Sequence, residues 1–229
     1  MMSFSLQFVL VLIGTFVIAL VLTPLVRLFS FKIDAVDYPN ARRINTKPMP
    51  SAGGLSIVIA FSIATLVFIP MLTSTAAPIK SYLSYTLPVV GAGWIIALTG
   101  LIDDVKELSA KKKMIGILLA ASLVWFLTDF RLNDFKIPFG GPLLHFEPWL
   151  SYLLTVIWIV SITNAVNLID GLDGLVSGVS IISLVTMGIV SYFFLPVPNL
   201  FLTMTIFVLV ASIAGFFPFN YHPAILYLG

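Results

Sequence analysis

Four polar side chains interrupt an otherwise apolar stretch at regular intervals: Asn164, Asn167, Asp170 and Asp173 occupy every third position of the segment Asn164–Leu175. On a helix, steps of three drift by only about 60°, so consecutive members lie on one face. Gly171 and Gly174 within the same segment permit a turn. Amide and carboxylate oxygens are hard ligands suited to magnesium, which takes one or two carboxylates together with waters and substrate phosphates. An ordinary hydrophilic turn between two helices does not need four such side chains in register. The spacing loosely resembles a calcium loop, but the apolar flanks and the missing downstream Glu argue against an EF-hand. A second acidic pair, Asp103 and Asp104, ends another apolar run within Gly100–Lys106. Carboxylates beside hydrocarbon are costly and are functional by default. Neighbours on a helix point about 100° apart, so one of the pair can face a metal or substrate and the other a structural partner.

The basic residues admit two readings. Arg42, Arg43 and Lys47 lie in the Pro-stiffened loop Asp37–Gly54, where an Arg fork or a Lys point charge would hold phosphate. The same residues are what a topology signal and anionic-lipid contact would supply. Lys111, Lys112 and Lys113 open another apolar run and divide between the same two roles. Asn220 and His222 are the first polar groups after a long apolar run, where a boundary role is the ordinary reading.

These residues must be positioned by helices in lipid. Charged residues make up only 10% of the 229, against about 25% in soluble domains, too few to clothe a water-facing surface. A net charge of +2 with no basic stripe excludes a nucleic-acid partner, and the lack of cysteine excludes disulfides, thiol catalysis and Cys-ligated zinc. Seven stretches are long or nearly long enough to span a bilayer: Leu6–Val26, Gly54–Leu72, Tyr82–Leu101, Met114–Thr128, Trp149–Thr163, Leu175–Leu195 and Leu200–Phe219. The first lacks a basic lead and a cleavage-site pattern, and reads as a retained span. The sequence thus predicts an all-α integral membrane protein, a single multi-span domain over residues 1–229. A small hairpin is expected within Asp129–Pro148, where Pro138, Gly140, Gly141 and Pro142 gather. Of the twelve Lys and Arg, nine fall in one set of loops and three (Lys80, Arg131, Lys136) in the other. The positive-inside rule then puts the N-terminus outside and all the polar segments on the cytoplasmic face.

Four blocks, in this order, resemble the polyprenyl-phosphate N-acetylhexosamine-1-phosphate transferases of bacterial envelopes and their eukaryotic relatives: Asp37–Gly54, Gly100–Asp104, Asn164–Leu175 and Phe219–Ala224. The resemblance covers the whole chain. Its first-loop pattern is similar to that of the branch using UDP-N-acetylglucosamine or a close amino sugar for teichoic acid, O-antigen or similar polymers. It implies undecaprenyl phosphate as acceptor, UDP-GlcNAc as donor, magnesium as cofactor and UMP as leaving group, in the bacterial plasma membrane. It further implies catalytic roles for Asp103 and Asp104, substrate contacts from Asn167, Asp170, Asn220, Arg42 and Arg43, and metal ligation by Asp173 and Asp170. Many family members have His where this chain has Asn45, so no role passes to that position. In the family the last block continues into a Gly-Asp whose Asp binds magnesium, followed by further spans and a His-rich loop that grips the nucleotide sugar. This chain stops at Gly229, so ten or eleven spans are expected of the family against seven here, and the chain alone is expected to be C-terminally truncated and inactive.

The chemistry those residues suit is phosphoryl transfer, which rests on positioning and charge neutralisation. The acceptor phosphate is already an anion, so Asp103 would serve as a base or only orient it, and direct attack and a covalent aspartyl intermediate both stay open. The competing class is a transporter or channel with the acidic turn as a cation site. Against it, the polar motif residues gather at one membrane face and no charge sits mid-span. An inactive fragment, or a transferase using a different UDP-amino sugar, would fit the same residues, and the pairing of two copies into a homodimer is left open.

Overall fold

Inside a bilayer no water satisfies backbone N–H and C=O groups, so an apolar chain must bond to itself, and helices do so within one segment. The computed structural model describes residues 4–39, 47–72, 76–195 and 199–229. Its long elements are helices: α1 (Phe4–Lys32), α2 (Gly54–Ile63), α3 (Ile69–Leu72), α4 (Ala76–Lys106), α5 (Ala110–Leu127), α6 (Pro148–Ile169), α7 (Leu175–Phe193) and α8 (Leu200–Asn220). A π-helical stretch, Ala64–Phe68, joins α2 to α3, so the two act as one span. Large apolar side chains on the outer faces, among them Val21, Leu119, Trp158 and Ile182, are more than half exposed, as lipid-facing groups are. The protein is an all-α, multi-pass integral membrane protein.

Among the described residues, six helices are long and apolar enough to cross a membrane: Leu6–Lys32, Gly54–Leu72, Tyr82–Lys106, Pro148–Ile169, Leu175–Phe193 and Leu200–Asn220. The seventh expected stretch is α5, whose first turn is filled by Lys111, Lys112 and Lys113, which removes it from the apolar set. It nevertheless runs the height of the bundle. Lys113 pairs with Asp103 of α4 at one end, and Trp125 Nε1 donates to Ser151 Oγ of α6 (3.3 Å) near the other.

The helix α8 packs against α1, α2 and α7. Gly215 lets it approach α1, because a Cβ there would collide with the Phe16 carbonyl oxygen. One apolar cluster is built on Val11, Phe61, Ile69, Met204 and Val208, and a second, near the cleft described below, on Ile57, Ile213, Phe216 and Leu226. Buried hydroxyls on α1 bond to their own helix: Thr15 to the Val11 carbonyl (2.7 Å), Thr23 to Ala19 (2.7 Å) and Ser30 to Val26 (2.9 Å).

Two short antiparallel hairpins complete the described structure. β3 (Asp134–Lys136) and β4 (Leu143–His145) form the hairpin expected within Asp129–Pro148. The other pairs β1 (Val36–Asp37) with β2 (Met49–Pro50), and Ser51 adds a parallel bridge to Tyr227. Strands of two residues are too short to show alternation, so no local pattern announces them.

Candidate active site

Backbone pairing draws the described end of the loop after α1 toward the bundle. Tyr227 N–H donates to the Pro50 carbonyl (2.9 Å), Gly53 N–H to Tyr227 (3.0 Å) and Gly54 N–H to Leu228 (2.7 Å). Arg27 Nε donates to the Ile225 carbonyl (3.1 Å), so the end of α1 is tied to the same segment. This weave brings Ser51 and Gly229 against the end of α4. Asp104 shares a hydrogen bond with Ser51, and a Cβ on Gly229 would stand 2.6 Å from Asp104 Oδ2.

Asp103 turns a different way. Its Oδ1 accepts the Leu108 N–H (2.8 Å) and its Oδ2 pairs with Lys113, so it fastens the turn between α4 and α5 and aims the lysine. Both carboxylates line the cleft, and Asp103 is the one also bonded to the α4–α5 turn and to Lys113.

The segment after α6 reverses direction through Gly174, whose φ of +72° is a left-handed conformation that costs glycine little. Asp173 then anchors the segment that follows α8: its Oδ2 accepts the Ala224 N–H (3.0 Å) and contacts His222 Nδ1 (2.9 Å). Asn220 is buried with both ends engaged, accepting from Ser177 Oγ (2.8 Å) and donating to the Leu226 carbonyl (3.2 Å). Asn164 donates back to the Val160 carbonyl of its own helix (2.8 Å).

The result is a polar cleft of about 500 Å³ that gathers Asp103, Asp104, Asn167, Asp170, Asp173 and Asn220 with Asp37, Ser51, Lys113 and Tyr227. Arg42 and Arg43 lie outside the described residues. Asp104, Lys113, Asn167 and Gly229 also border a second, mostly apolar groove of about 430 Å³, walled by Ile57, Val58, Ile96 and Ile117 between the spans. Burial, and then the negative charge of Asp37, pushes Asp170 up from the ordinary carboxylate value to about 6. A partly dry, acidic cleft favours a cation or a proton. Among the described residues no three acidic or histidine side chains cage an ion by themselves.

Residues 86–229 match the family described as Glycosyl transferase family 4. The chain belongs to that family. A Bacillus subtilis protein described as "Probable undecaprenyl-phosphate N-acetylglucosaminyl 1-phosphate transferase" is 37% identical over 211 residues, 92% of this chain and 54% of its own length. Decaprenyl-phosphate N-acetylglucosaminephosphotransferase of Mycolicibacterium smegmatis is 34% identical over 51% of this chain and 28% of its own. Its Mycobacterium leprae counterpart is 32% identical over 61% and 34%. The chain thus spans about half the length of the Bacillus relative and a smaller share of the others.

For this family 4 chain, residue types and spacing alone assign no role to Asp37 and leave Lys113 undecided between a topology anchor and phosphate binding. Asp37 is legible as the first residue of the first-loop block. Lys113 has a weaker signal: only the short turn at residues 107–109 separates its helix from that of the Asp pair.

Proposed function

We propose that the protein to which this chain belongs transfers N-acetylglucosamine-1-phosphate from UDP-GlcNAc to undecaprenyl phosphate, releasing UMP. The reading places it at the cytoplasmic face of the bacterial plasma membrane, as the first membrane step of an envelope polymer such as teichoic acid or O-antigen. The chain acts in it as a single multi-span domain. The observation that carries the reading is the junction of two surfaces: an acidic cleft for a pyrophosphate and its metal opens into an apolar groove suited to a prenyl tail, with Asp104, Lys113 and Asn167 at the seam.

In this reading the prenyl chain lies along Ile57, Val58, Ile96 and Ile117, and its phosphate emerges beside Lys113. Asp103 holds that lysine in place, and Lys113 offsets the anion's charge. Asp104 orients the acceptor oxygen toward the donor. Asn167 donates its amide to the donor phosphates. Magnesium would be held by Asp170 and by the second oxygen of Asp173, and when bound it would neutralise charge growing on the departing UMP. Asn220 positions the site by fixing α7, α8 and the segment at Leu226.

The test is turnover in membranes carrying the full-length gene product, with labelled UDP-GlcNAc and UDP-MurNAc-pentapeptide offered separately, with and without a magnesium chelator. We expect UMP release and labelled lipid from the first donor only, abolished by the chelator. A preference for the pentapeptide donor would defeat the branch assignment. Ion flux without UMP release would favour the transporter class.

A further inference from the structure

At the end of the bundle opposite the cleft, the β3–β4 hairpin leaves every one of its strand residues exposed. Its register pairs Phe135 with Leu144, and Ile137 lies two residues along from Phe135 on the same face. Asp134, paired with His145, and Lys136, paired with the exposed Leu143, occupy the opposite face, which therefore carries the hairpin's charged groups and one leucine. The hairpin thus keeps its charged groups on one face and leaves Phe135, Ile137 and Leu144 exposed on the other. At its tip Phe139 is fully exposed and held at φ +61°, a conformation that strains a bulky side chain. A tip that needed only to turn would carry Gly or Asn there.

The hairpin's root is set low. Leu132 N–H donates to Thr155 Oγ1 (2.9 Å), and Asn133 Oδ1 accepts from Ser151 Oγ (2.9 Å). Thr155 is seven residues past Pro148 at the start of α6, about 10 Å along the helix axis. The 22 residues of α6 rise about 33 Å, close to the thickness of the hydrocarbon layer, so the root lies near the membrane boundary rather than above it. Around it stand the groups that prefer this depth. Trp125, Phe126 and Tyr152 form an aromatic cluster, Arg131 lies over the Trp125 ring at 4.7 Å, and Trp149 is largely exposed.

We propose that this hairpin is a membrane-interface anchor: Phe135, Ile137, Leu144 and the tip residue Phe139 seat among the headgroups and upper acyl chains of the leaflet away from the cleft. The occupant is the phospholipid bilayer itself. Lys136 and the Asp134–His145 pair face water and headgroups. Exposed Phe139 then gains burial in lipid, which offsets the conformational strain of its turn.

The chain has no cysteine, so single substitutions give unique labelling sites. Phe139→Cys, Ile137→Cys and Lys136→Cys proteins are labelled with an environment-sensitive fluorophore and reconstituted in phosphatidylcholine–phosphatidylglycerol vesicles, with iodide on both sides. For positions 139 and 137 we expect blue-shifted emission, strong quenching by lipid carrying a headgroup-proximal doxyl group, and weak quenching by iodide. The label at position 136 should show the reverse. Equal iodide quenching at 139 and 136 would overturn the proposal. So would a label at 139 that is shielded from both quenchers and brightens on dilution with unlabelled protein, since a second copy would then be the occupant.

Discussion

Asp170 carries its charge in the cleft at a cost to the fold. Burial holds it near 6, above the ordinary value of 3.8, so folding favours its protonated form. The contribution to stability is full below about 3.8, fades as the pH rises toward 6, and leaves the ionised carboxylate as a burden above that. Asp170→Asn keeps the shape and removes the charge. We expect the metal-free variant to unfold at a higher temperature than the parent at alkaline pH. The gain should be on the order of 1 kcal/mol, kept small because the partly exposed side chain is screened. The gap should close in acid, and the same variant should lose about 10²-fold or more in turnover. A variant less stable than the parent at alkaline pH would show that burial is not what raises this group. Lys113→Gln tests the other side of the seam: kcat/KM for the polyprenyl phosphate should fall about tenfold or more, while Lys112→Gln, one residue away, should change it little. Residue types tell which positions are chemical, but not what each does. Asp103 and Asp104 are adjacent carboxylates in the sequence, and only the Leu108 N–H and Lys113 reveal that the first is a fastening. Asn220, expected to touch substrate, also has its amide engaged by Ser177 and Leu226, partners 43 and 6 residues away.

At the scale of elements, that buried amide makes a separable forecast. Asn220→Leu strands Ser177 Oγ and the Leu226 carbonyl, and should cost about 1–3 kcal/mol, whereas Ser177→Ala should cost about 1 kcal/mol or less. Thermal unfolding in detergent reads both. If Asn220→Leu left stability unchanged and altered only donor affinity, its structural role here would be wrong. The helices themselves are largely legible, because about twenty apolar residues in a row have few other fates. The α5 helix is the exception in composition: its three lysines stand where the charge belongs, at the membrane boundary, and they remove it from the apolar set without removing it from the bundle. The β1–β2 pair and the Ser51–Tyr227 bridge are not legible, since their register is set by partners about 13 and 176 residues apart rather than by local pattern.

For the whole molecule, the orientation expected from where the lysines and arginines fall is directly measurable, because the sequence has no cysteine. In intact cells, Lys136→Cys should react with a membrane-impermeant maleimide, and Lys106→Cys should react only after the membrane is opened. The opposite pattern would invert the topology and move the cleft to the outer face. The convergence of four distant segments on one cleft is foreshadowed by alternation of spans, which places all of them at the same end. Their pairwise geometry is not, because it depends on how α1 and α8 meet, and these are the helices farthest apart in the chain that still touch. That meeting has a consequence for biosynthesis. Spans enter the bilayer in order, so α1, which carries the buried hydroxyls of Thr15 and Ser30, arrives before α8, the last described span and one that packs along it. A hydroxyl waiting for a distant neighbour would sit in lipid unsatisfied, but each of these already bonds to the carbonyl one turn back on its own helix. The first helix can therefore idle in the membrane as an apolar rod, needing no chaperoning partner until Gly215 arrives to close against Phe16.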